Sequence, residues 1–139
     1  MRLHDDSGQV LPMVAVMTLG LLAMVGLVVD AGVMFAARRD LQSTAVAAAR
    51  AGAAVLDEDV YRSSGGRTTA LDEPGAEEAA LAHLAGVDVQ SVTATSDAVF
   101  VSVSRSQPLL LLGLIGVGPV NVEARSTARP RTGILAPGG

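Results

Sequence analysis

Twenty consecutive residues, Val10 to Val29, carry no charge, and Asp30 closes the run. A helix rises about 1.5 Å per residue, so a run of this length reaches roughly 30 Å, the thickness of a bilayer's hydrocarbon core. Pro12 suits the first helical turn, where a missing N–H does no harm. Gly20 and Gly26 are tolerated in membrane spans. Beyond Asp30 the sequence turns Ala-rich, with no proline before Pro74. The pattern predicts that the span runs on into a second helix, Ala31 to Leu56, as a stalk.

Three readings compete for the apolar run. A cleaved secretory signal has a basic head, an apolar core of ~7–15 residues and a small-x-small cleavage site. Here the head is acidic on balance and the core is longer, although Val29-Asp30-Ala31 has the form of a cleavage site. A buried core helix needs a domain large enough to cover every face of it. A retained membrane anchor fits the length and the absence of charge best. Arg38 and Arg39 beyond the span outnumber Arg2 before it, so charge alone slightly favours the C-terminal side inside.

Composition narrows the function. The aromatic residues are Phe35, Tyr61 and Phe100 alone, which disfavours base stacking and a deep aromatic pocket. The net charge is −4 and the ten basic residues, all Arg, are scattered. A nucleic-acid surface needs a basic stripe. The chain has no Cys, which removes disulfides, thiolate metal sites and a Cys nucleophile. No G-x-S-x-G, H-E-x-x-H or nucleotide-binding glycine motif occurs. The expectation is no enzyme, no cofactor, no metal, no nucleic acid and no small-molecule substrate.

Asp57-Glu58-Asp59 is read as the solvated end of the stalk helix, its acids opposing the helix dipole. Ser63 to Gly66 is a loop. A short amphipathic helix follows, capped by Asp72 or Glu73, with Pro74 near its first position and Gly86 as its stop. Ala80, Leu81, Leu84 and Ala85 form its expected apolar face, and His83 is structural. Val87 to Thr95 and Val99 to Arg105 read as a hairpin turning at Ser96-Asp97-Ala98, with an irregularity before Val92. Pro108 to Gly116 is apolar but too short to span. It is read as a short helix or loop packed on the hairpin, with a membrane-dipping segment as the alternative. Val120 to Thr127 alternates as a third strand. The fold class is α+β: a long anchor-and-stalk helix packed on a small antiparallel sheet of about three strands, with a short helix.

Small residues recur every fourth position, as in Gly32 with Ala36 and Ala45 with Ala49 and Ala53. Such spacing lets helices approach closely. Alanine's helix propensity accounts for much of it as well. A face for contact with other subunits is the expectation tested below.

The block from Ser7-Gly8-Gln9 through the apolar run to Val29-Asp30-Ala31-Gly32-Val33 and Ala37-Arg38-Arg39-Asp40-Leu41-Gln42-Ser43, ending in the Ala-rich stretch to Ala51, resembles the N-terminal segment of TadE/TadG-like proteins of the tight-adherence (Flp-type) pilus assembly system. A weaker echo covers Val99 to Ala128. The residues divide the chain into a head (1–9), a transmembrane helix (10–29), a stalk (30–56), a small α+β domain (57–128) and a disordered tail (129–139), and the resemblance implies that the head is cytoplasmic and the stalk extracytoplasmic. It implies an N-in, C-out single-pass protein of the cell membrane, a minor pilin-like or scaffold component without catalysis. Its partners would be lipid and other pilus or secretion-system subunits. A generic single-pass envelope protein stabilising another membrane or secretion complex is the alternative. Asp30, Gly32, Arg38 and Arg39 form the membrane-exit and helix-packing motif. Gly8 and Gln9 correspond to the bond cut by a prepilin peptidase, but the fifth position after it, Met13, departs from the usual Glu.

Overall fold

The computed structural model describes residues 7–130. Helix α1, Ser7–Gly52, is one uninterrupted helix of 46 residues, roughly 70 Å long at about 1.5 Å per residue. Its backbone includes Gly8 and Gln9, the expected cleavage position. Most of the expected head and the tail from residue 131 onward lie outside the described residues.

The helix ends four residues before the predicted Leu56. Gly52 is its last residue. A Cβ at this position would sit 2.6 Å from the Ala76 carbonyl oxygen and 3.2 Å from the Val99 methyls, so only glycine lets α1 meet the helix that carries Ala76 and the sheet this closely. The chain then turns at Ala53 and Ala54, and Leu56 bridges to Leu71. The acidic triplet is a helix start rather than a helix end. Asp57 caps α2, Glu58–Ser63, its Oδ1 accepting from the amides of Asp59 (3.0 Å) and Val60 (3.1 Å). Glu58 and Asp59 then lie in a first turn, where acids favour the dipole.

Helix α3, Glu73–Leu81, starts at Asp72 with Pro74 in its first turn. Its buried side chains are Ala76 and Ala80, joined by Leu84 just beyond. Leu81 and Ala85, expected on that face, are exposed: Leu81 is turned about 100° from the buried Ala80, and Ala85 lies past the end of the helix. His83 is exposed, with Nδ1 3.0 Å from the Ala79 carbonyl.

Strands β1 (Asp88–Ala94), β2 (Val99–Gln107) and β3 (Val120–Ala128) form an antiparallel sheet in that order. The irregularity in the first strand is a register shift between Val89 and Ser91. Clean alternation in β2 sends Val99, Val101 and Val103 inward, and β3 adds Val122 and Ala124. Leu41, Ala45, Ala48, Ala49 and Ala53 of α1 and the following turn cover this face. A sheet with one apolar face must bury it against another element, and the helix supplies that second layer.

Candidate functional site

Asp30 and Gly26 sit one helical turn apart, on the same side of α1, at the end of the apolar span. Both are buried while their span neighbours are not. The cover comes from the apolar connection between β2 and β3. Its centre is a short 3-10 helix, Leu112–Ile115. This segment packs on the last turn of the span, not on the hairpin as expected. The physical reason is Asp30. Its side chain is 1% exposed and needs donors. Oδ1 accepts from the amides of Leu110 (2.7 Å) and Leu111 (3.1 Å). Oδ2 accepts from Leu111 (3.2 Å) and Leu112 (2.7 Å). Three consecutive backbone amides thus cradle one carboxylate, an acceptor with both oxygens engaged.

Gly26 makes this contact close. A Cβ there would lie 3.4 Å from both Cβ and Cδ1 of Leu111, so the Leu111 side chain rests almost on the helix backbone. Gly116 closes the 3-10 helix in the left-handed conformation (φ 90°), returning its N–H to Gly113 and Leu112 carbonyls.

The other motif residues point elsewhere. Two residues on, a helix has turned by about 200°, so Gly32 faces away from Asp30 and is exposed with Phe35, Ala36 and Arg39. Arg38 is exposed and lines a surface hollow with Met34, Phe35 and Val122. The neighbouring Asp40 reaches the sheet instead: Arg105 donates to its Oδ2 at 2.7 Å. Gln42 donates to the Arg125 carbonyl at 3.1 Å, a second tie between stalk and β3. The motif therefore divides into an inward residue, Asp30, and an outward group, Gly32, Arg38 and Arg39.

The small residues Ala45, Ala49 and Ala53 do form a packing face, and it is used within the chain. Ala45 and Ala49 are fully buried and Ala53 nearly so, against the chain's own sheet and α3. Small side chains here let the sheet approach the helix axis, so another helix cannot use the same stripe without undocking the domain. Among the described residues, no group of three His, Cys, Asp or Glu side chains is arranged to hold a metal ion.

Residues 8–55 match a family described as putative Flp pilus-assembly TadE/G-like. The chain carries a TadE/G-like segment. No curated protein and no solved structure matches it. The TadE/G-like segment coincides with α1 and the turn that follows. It therefore includes a candidate membrane-spanning helix together with the helix that covers the sheet. Leu110 to Leu112 are the partners that sequence reasoning missed. A usable signal existed: an Asp on the edge of a span needs donors, and the only long uncharged stretch elsewhere is the one between Arg105 and Glu123.

Proposed function

We propose that this chain is a non-enzymatic, membrane-anchored component of a tight-adherence type pilus assembly system, a minor pilin-like or scaffold subunit. The observation that carries the proposal is the continuity of α1. The TadE/G-like match spans an exposed apolar half and a domain-docked half of one helix, so the proposed anchor and the domain share one continuous element. The head is cytoplasmic and the sheet extracytoplasmic, as the family resemblance implies. Catalysis plays no part in the proposed role.

Subunit contact falls to the outward face of the stalk. Gly32 and Ala36 give a close-approach pair, and the exposed Phe35 and Arg39 flank it. The test is site-specific photo-crosslinking from Phe35 in cells that assemble the pilus, with Thr93 on the far strand as control. The proposal expects adducts with pilus or Tad subunits from position 35. Adducts confined to unrelated membrane proteins point to a general stabiliser of another complex and contradict it. N-terminal sequencing of the protein from native membranes bears on the fibre question: a start at Gln9 supports incorporation, and a start at Met1 supports a permanent scaffold.

A further inference from the structure

The connection from Pro108 to Pro119 presents its apolar side chains outward. Leu114 is 81% exposed and Ile115 76%, with Leu110 and Val117 beside them. No charge occurs between Arg105 and Glu123. In water such a patch is unusual for a small domain. Its position decides what covers it. Leu111 rests on Gly26, which belongs to the uncharged span, and Asp30, the residue that closes the span, is the connection's anchor. The patch is therefore level with the final turn of the membrane helix. Leu22, Val25 and Val29 around that turn are exposed too, so lipid that wets them also wets the connection.

The backbone supplies an independent observation. Irregular chain at membrane depth is tolerated only when its polar groups are satisfied within the protein. Here the amides of Leu110, Leu111 and Leu112 go to Asp30. Those of Leu114, Gly116 and Val117 go to carbonyls of Leu111, Gly113 and Leu112 at 3.1–3.2 Å. Pro108 and Pro119 at the two ends have no N–H to satisfy. Six amides of the connection are thus bonded within the protein.

We propose that the Leu110–Val117 connection dips into the headgroup–acyl boundary of the bilayer beside the span, so that the outer domain is held on the membrane surface by a second, lipid contact. This rests on the reading of residues 10–29 as a membrane span. Asp30 is the positioning residue: it holds the connection against the helix at the depth where lipid begins.

The chain lacks Cys, so single-cysteine variants of the full-length protein take a fluorescent label uniquely. Ile115→Cys, Met17→Cys and Asp97→Cys would be labelled and reconstituted in phosphatidylethanolamine–phosphatidylglycerol vesicles. Quenching would be read from lipids with a nitroxide high or low on the acyl chain and from aqueous iodide. Residue 115 is exposed, so the substitution spares the fold. The proposal expects the label at 115 to be quenched by the shallow nitroxide at least about threefold more than the label at 97, as befits a group ~5–10 Å deep. Iodide access at 115 equal to that at 97, with position 17 still quenched by the deep nitroxide, overturns the lipid contact and leaves the span standing. Loss of deep quenching at position 17 overturns the span and the proposal together. Protection of residue 115 in native membranes but not in pure lipid assigns the patch to a protein neighbour and overturns it as well.

Discussion

One helix, α1, is built for two solvents. From Val10 to Val29 its side chains are large, apolar and exposed, as at Leu19 and Leu22. After Leu41 the inward positions up to Gly52 are small and buried, as at Ala45, Ala48 and Ala49. Neither half suits the other's place. Large residues at the lower positions would hold the sheet away from the helix. The Val10–Val29 half has no layer of protein to cover it among the described residues, as a candidate membrane span requires. The contrast shows how a small domain of limited apolar content is completed: the anchor's own continuation becomes the second layer of its core. Asp30 marks the change of environment, and the connection it holds lies level with the end of the span.

Substitution at equivalent residue types is expected to separate the two halves. Leu41→Ala removes a fully buried side chain and should cost the outer domain about 2–5 kcal/mol, whereas Leu19→Ala, in the lipid-facing half, should leave that domain's stability within about 0.5 kcal/mol. Pulse proteolysis of the reconstituted protein in urea would measure both. Equal losses would mean that the two halves are not distinct environments.

Gly52→Ala is next in size. The added methyl meets the Ala76 carbonyl at 2.6 Å, and backbone must move, which typically costs about 1–3 kcal/mol. Gly32→Ala, where the new methyl meets nothing within 4 Å, should be neutral or slightly stabilising through helix propensity. The same unfolding assay separates the pair. Asp57→Ala removes the cap of α2 and should cost roughly 1 kcal/mol locally, visible as faster hydrogen exchange at the capped amides of Asp59 and Val60. The smallest effect belongs to Arg105→Ala. Its partner Asp40 is largely exposed, so loss of this stalk-to-sheet ion pair should cost less than about 1 kcal/mol and diminish further in salt.

Much of this architecture was legible in the chain. An uncharged run followed by Ala-rich sequence is a local signal, and so is the alternation of Val99, Val101 and Val103. Both survive into the structure as predicted. Asp57 was legible too, since an Asp followed by acids is a helix-start pattern, but its place after an Ala-rich run invites the opposite reading. Two features depend on distant neighbours and leave no local trace. Gly52 must be glycine because Ala76 approaches it, and Asp30 faces inward because amides some eighty residues later surround it. The alanine stripe carries the same ambiguity. Spacing reveals a close-packed face at Ala45, Ala49 and Ala53, but only tertiary structure shows that the partner is the chain's own sheet.

The most direct test of two environments along one helix is a cysteine scan of α1 in the purified protein reconstituted in lipid vesicles, free of other subunits, using a membrane-impermeant maleimide on the otherwise Cys-free chain. The account predicts no labelling from position 14 to 28, labelling at 32, 35, 36 and 39, and protection at 45, 48 and 49 that urea abolishes. Labelling at 45, 48 and 49 in the folded protein, or free labelling inside the 14–28 stretch, would contradict it.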